Sequence, residues 1–83
     1  MEFALSKHAT DTLRERGIRL EWVSDAMDNP ERRLPHVDDP QLTHALRVIP
    51  ESGYRVLRVI YNHTRQPVLV VTAYFDRTMK GQL

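Results

Sequence analysis

The stretch Tyr54–Phe75, YRVLRVIYNHTRQPVLVVTAYF, decides the fold. Two runs within it, Tyr54 to Asn62 and Val68 to Phe75, are rich in the β-branched and aromatic residues that fit a pleated, half-buried surface. His63 to Pro67 joins them as a tight hairpin. Upstream, Leu42 to Ile49 reads as a further strand, and Pro50-Glu51-Ser52-Gly53 closes a second hairpin. Glu31 to Val37 is polar and contains Pro35, which limits it to a sheet edge, and Asp38-Asp39-Pro40 is a turn.

The pattern changes from sheet to helix on the N-terminal side. Ser6 is suited to cap a helix over Lys7 to Arg16, where Leu5, Ala9 and Leu13 form an apolar stripe. Gly17 sits where a left-handed residue would end that helix, and Arg14 and Arg16 suit its last turn. A second amphipathic helix follows Ile18, with Leu20, Val23 and Met27 on one face and Trp22 and Ala26 beside it. Asn29-Pro30 stops it, because the residue before proline is driven out of the helical region. Helices this short are marginal alone and must pack on the sheet. The expected architecture is α+β, with two N-terminal helices on a three- to four-stranded antiparallel sheet. Residues 1–83 form one domain, and residues 76–83 are a short charged tail.

Composition bounds the function. A chain of 83 residues has room for one core, and 41% hydrophobic with 28% charged residues is the balance of a globular domain. The absence of cysteine excludes disulfides and thiolate chemistry and fits a cytoplasmic location. No apolar run approaches the ~18 residues of a membrane span, and the first residues lack the pattern of a signal peptide. With 12 basic and 11 acidic residues the net charge is +1, so any affinity for nucleic acid must come from where the arginines lie.

A simple hairpin register sets Leu57 opposite Leu46 and Tyr74, and Val59 opposite His44 and Thr72. The helix-bearing face then carries Leu42, Leu46, Val48, Leu57, Val59, Tyr61, Val70 and Tyr74. The opposite face interleaves Arg47, Arg58 and Arg77 with Tyr54, Val56, Ile60, Val71 and Phe75. Such a surface suits phosphates and stacked bases. The plainer reading is a solvated face whose arginine stems cover apolar neighbours, and the apolar content between the arginines suggests a protein partner or self-association.

Few side chains offer chemistry. His8, Thr12 and Arg16 lie at i, i+4 and i+8, where a histidine supplies an acid or base and an arginine stabilises anionic charge. The bland alternative is that His8 only packs at a helix start. No metal-ligand spacing, phosphate-binding glycine loop, carboxylate pair or serine-nucleophile motif is present. Metal-free, cofactor-free chemistry is what remains.

Ser6-Lys7-His8-Ala9, Arg16-Gly17-Ile18, Asp28-Asn29-Pro30, Leu57-Arg58-Val59 and Val70-Val71-Thr72-Ala73-Tyr74 recur in order over nearly the whole chain. In these motifs it resembles a bacterial domain-of-unknown-function family (number 4258) that looks related to BrnT and RelE-like toxins. That resemblance implies a metal-independent endoribonuclease in which the RNA 2′-OH attacks its own phosphate. His8, Arg16, Arg58, Thr72 and Tyr74 would be its catalytic set, and Arg47, Arg55, Arg77 and Lys80 its RNA-binding set. The implied partners are an antitoxin protein, and RNA or ribosome-bound mRNA. Thr12 stands where many members carry arginine, which favours the alternative of a non-catalytic interaction domain, in one version a homodimer.

Overall fold

The computed structural model describes residues 1–83. Its first element, strand β1 (Phe3–Leu5), leads directly into Ser6, whose extended backbone (φ −68°, ψ 164°) breaks helix α1 (Lys7–Arg16) from the strand. The Ser6 hydroxyl oxygen accepts from the Ala9 N–H at 3.0 Å, satisfying one of the donors a helix start leaves unpaired. Gly17 ends α1 at φ +65°, and the Ile18 N–H returns to the Leu13 carbonyl at 2.9 Å. Helix α2 (Leu20–Asp28) buries Trp22, Val23, Ala26 and Met27 and stops at Asn29. Its last carbonyls find arginine donors: Arg33 Nη2 reaches Met27 O at 3.4 Å and Arg47 Nη1 reaches Asn29 O at 2.7 Å.

The remaining strands are β2 (Arg32–Pro35), β3 (Leu42–Ile49), β4 (Arg55–Asn62) and β5 (Val68–Phe75). The sheet order is β1-β5-β4-β3-β2, with β1 parallel to β5 and the other pairs antiparallel. The α+β class is as expected, but the sheet is five-stranded and mixed. Strand β1 was not foreseen, because its three residues pair with β5 only across the whole chain.

The register departs from the simple one on both sides of β4. Leu57 lies opposite Arg47 and Phe75, and Val59 opposite Ala45 and Ala73. Two single-residue insertions cause this. Tyr54, expected in the strand, adopts φ +60° and joins the loop, so that Ile49 pairs with Arg55. In β5, Tyr61 pairs with Val70 but Ile60 pairs with Thr72, leaving Val71 as a bulge. Side chains alternate faces, so each insertion exchanges the faces beyond it.

Both helices therefore pack on a core of Ala45, Ile49, Leu57, Val59, Tyr61, Val70 and Ala73. Phe75 belongs to this side, edge-on to Trp22 with ring centroids 6.0 Å apart. Leu42, Leu46, Val48 and Tyr74, expected beneath the helices, share the opposite face with Val56, Arg58 and Ile60. The expected bare patch on that face does not exist, since Val56 is 1% and Ile60 8% exposed. After Asp76 the chain makes a 3-10 turn over Arg77–Met79 against β4, and the Gln82 carbonyl accepts from Arg32 Nη2 of β2 at 3.1 Å. The C-terminal segment thus crosses the end of the sheet. No helix is long and apolar enough to cross a membrane.

Ser6 also donates its hydroxyl to the Val71 carbonyl at 3.2 Å, joining α1 to the bulge. Ser6→Ala loses the cap and this bond together and is expected to destabilise the domain by about 1–2 kcal/mol in urea unfolding. Ser6→Asp retains an acceptor but no donor, and its unfolding midpoint should lie between those of wild type and Ser6→Ala.

Candidate functional site

Where β4 begins and β5 ends, an open cleft of about 590 Å³ lies between the end of α1 and the C-terminal turn. Ile18, Val56 and Phe75 give it apolar lining, and Arg16, Arg55, Arg77 and Lys80 supply four cations. Arg16 is delivered by the last turn of α1, just before Gly17 reverses the chain. Arg55 opens β4, with its guanidinium carbon 3.8 Å from the Phe75 ring centroid. Ser52 fixes the edge of that guanidinium, its Oγ accepting from Nη2 at 2.6 Å and from Nε at 3.1 Å. Arg55 is held in place before any ligand arrives.

None of the four cations is ion-paired with a carboxylate. The one acidic residue of the cleft, Asp76, is committed elsewhere. Its Oδ2 accepts from Arg58 Nε at 2.9 Å, and its Oδ1 accepts from the Thr78 hydroxyl at 2.6 Å and the Thr78 N–H at 3.0 Å. The Thr78 hydroxyl foremost, then the Arg58 guanidinium, hold the Asp76 carboxyl below its usual pKa, against the opposing effect of burial. A chain of net charge +1 therefore concentrates uncompensated positive charge at one place.

Arg58 leads from Asp76 to the face of the sheet opposite the helices. Its Nη1 lies 2.7 Å from His44 Nδ1, and His44 Nε2 lies 2.8 Å from His36 Nδ1. Arginine only donates, so His44 Nδ1 is an acceptor and the His44 proton sits on Nε2, directed at His36 Nδ1. His44 is then neutral. Burial first, then the charges of Arg58 and His36, lower the His44 pKa and favour that state. Arg58 and Asp76 side chains are only 12% and 13% exposed, so this ion pair is shielded from solvent.

The residues singled out from sequence are divided by this geometry. Arg16, Arg55, Arg77 and Lys80 come together in the cleft. Arg58, Thr72 and Tyr74 share the opposite face, where Arg58 pairs with Tyr74 and Ile60 with Thr72. His8 is exposed on α1, on the helix side, and its Nε2 lies 3.3 Å from Thr12 Oγ1. The sheet separates His8 from Thr72 and Tyr74. Arg47 does not share a face with Arg58: the register change turns it toward α2, where it caps Asn29. Sequence reasoning missed the lining by Ile18 and the pairing of His36 with His44. The second was accessible in principle, since a hairpin over the Asp38-Asp39-Pro40 turn sets Leu34 opposite His44 and brings His36 alongside.

The two lowered pKa values set the acid sensitivity of the fold. His44 is harder to protonate folded than unfolded, so its contribution is present above its ordinary value of 6.5 and is lost as pH falls from there toward its folded pKa. Asp76 contributes above its ordinary value of 3.8, and that is lost as pH falls from there through its folded pKa. Chemical unfolding across pH should therefore show stability declining in two stages on acidification. His44→Gln, whose amide oxygen accepts from Arg58 without titrating, is expected to flatten the stage that sets in as pH falls through 6.5 and leave the lower one.

No curated protein and no solved structure gives a significant match to the chain. A family model does match, under the description "Domain of unknown function (DUF4258)", over residues 5–75. The match contains Arg16, Arg55 and Phe75 of the cleft and stops short of Arg77 and Lys80. Because it runs through both helices and all of β2 to β5, the chain belongs to this domain-of-unknown-function family.

Proposed function

We propose that this domain binds RNA through the basic cleft and acts as a RelE/BrnT-like toxin that cleaves it without a metal. The observation that carries the reading is the convergence of Arg16, Arg55, Arg77 and Lys80 with no carboxylate left to neutralise them. A polyanion is the natural counterpart of such a site, because each phosphate neutralised releases counterions. Arg55 offers its free edge already oriented by Phe75 and Ser52. In the cleavage step the RNA 2′-oxygen bonds to the adjacent phosphorus and the bond to the 5′-oxygen breaks. The products are a 2′,3′-cyclic phosphate and a 5′-hydroxyl. Arginines around the phosphorus stabilise the charge that gathers on its oxygens. His8 is the candidate to accept or return the proton, and because it sits about 12 Å from Arg16 along α1, the role requires the RNA strand to run from the cleft along that helix. An antitoxin for this domain would present carboxylates to the cleft.

A second reading, RNA or protein binding without cleavage, is favoured by one observation. The cleft lining contains no histidine, and its one carboxylate is ion-paired, so no free proton acceptor stands beside the cations.

Fluorescence anisotropy with a labelled single-stranded RNA tests the binding. With three to four phosphate contacts, log K against log salt should fall with a slope of about −2 to −3, and Arg55→Gln or Arg77→Gln should each flatten it by about 0.7. Arg47→Gln should leave the slope unchanged. Cyclic-phosphate products formed in EDTA by wild type but not by His8→Ala support the toxin. Binding without product supports the second reading, and absence of binding removes both.

A further inference from the structure

Tyr54 has a conformation and an exposure that the folded chain does not account for. It is the only residue other than glycine with positive φ (+60°), and it follows Gly53 at +66°. Two successive left-handed residues are the preserve of Gly, Asn and Asp, and a β-carbon with a large ring is disfavoured there. The backbone role of the position is to close the loop, through its N–H to the Ile49 carbonyl at 3.1 Å, and this requires no side chain. The side chain forms no aromatic pair and no hydrogen bond within the protein. It is 65% exposed, and the aromatic pairs of the molecule are Trp22 with Phe75 and His36 with His44. Strain of this kind, kept where a ring is held out in solvent, is typical of a binding position.

The next residue identifies the ligand chemistry. Arg55 lines the cationic cleft, and consecutive α-carbons lie only ~3.8 Å apart. Tyr54 does not line the cleft itself, but it is an exposed aromatic residue one position along the chain from a cation that does. We infer that Tyr54 is a stacking platform for a nucleobase of single-stranded RNA whose phosphates occupy the cleft, an inference that rests on the RNA-binding reading above. Every base has a π face, so the platform is tolerant of sequence. It selects strand state instead: a base in a duplex is already stacked and cannot lie on the ring without being extruded.

A single-stranded RNA carrying 2-aminopurine, bound by the full chain, reports stacking directly through quenching of its fluorescence. Wild type is expected to quench it and to prefer the single strand over its duplex. Tyr54→Leu should lose the quench and weaken binding by about 5- to 150-fold, the range of one base–aromatic stack, without altering the salt slope. Tyr54→Phe should retain both quench and affinity. Tyr54→Gly should bind as weakly as Tyr54→Leu with a thermal midpoint no lower than wild type, since glycine adopts this φ freely. The inference is overturned if Tyr54→Leu binds and quenches as wild type while Arg55→Gln loses affinity, an outcome that leaves the cleft as the RNA site. It is also overturned if the duplex binds equally well. Failure of wild type to bind RNA at all removes the cleft reading and this one together.

Discussion

The bulge at Val71 governs how helices, sheet and cleft fit together. One extra residue in β5 opposite the Ile60–Tyr61 step turns Ala73 and Phe75 toward the helices and Thr72 and Tyr74 away. A bulge frees backbone groups from the regular ladder. Here the Val71 carbonyl is taken by the Ser6 hydroxyl, while the Val70 carbonyl accepts the Ser6 N–H at 2.9 Å. The residue that caps α1 is thus fastened to the irregularity that orients the end of β5. The far end of α1 then carries Arg16 to the cleft, where Phe75 supports Arg55. A regular β5 would place Phe75 on the other face and leave Arg55 without the ring beneath it.

Local signals were legible and long-range counts were not. Ser6 and Gly17 bracket α1, and Asn29-Pro30 ends α2, at the residues where the structure begins or ends them, because caps and breakers act within one turn. The start of α2 at Leu20 has no side-chain cap to mark it. The strands were visible as runs of Val, Ile and aromatics. Their faces were not, since face depends on the parity of every connection. Tyr54 in a left-handed loop and Val71 in a bulge are chemically indistinguishable from ordinary strand residues, yet each alters the count by one. Arg47 was misassigned for that reason and Arg58 was not. The cations of the cleft were named individually from sequence. Their convergence was hidden because they come from α1, β4 and a turn that follows β5.

Charge is arranged in two layers with different purposes. On the face away from the helices, Arg58 is consumed by Asp76 and His44, and the polar chain to His36 satisfies groups that would be costly if buried alone. In the cleft, Arg16, Arg77 and Lys80 are ion-paired with no acid. Asp76 belongs to both layers. By engaging Arg58 it withholds its carboxylate from the cleft cations, so the half-buried pair is what leaves the cleft positive.

The position of the C-terminal segment separates scaffold from charge. The helices and β5 complete the core by Phe75, and Arg77 and Lys80 arrive afterwards on a turn capped by Asp76. Substitutions on that turn can alter the charge of the cleft while the packed interior stays as it is. The domain is in this sense modular within a single short chain: a fixed body and an adjustable electrostatic flap, joined at one acidic residue.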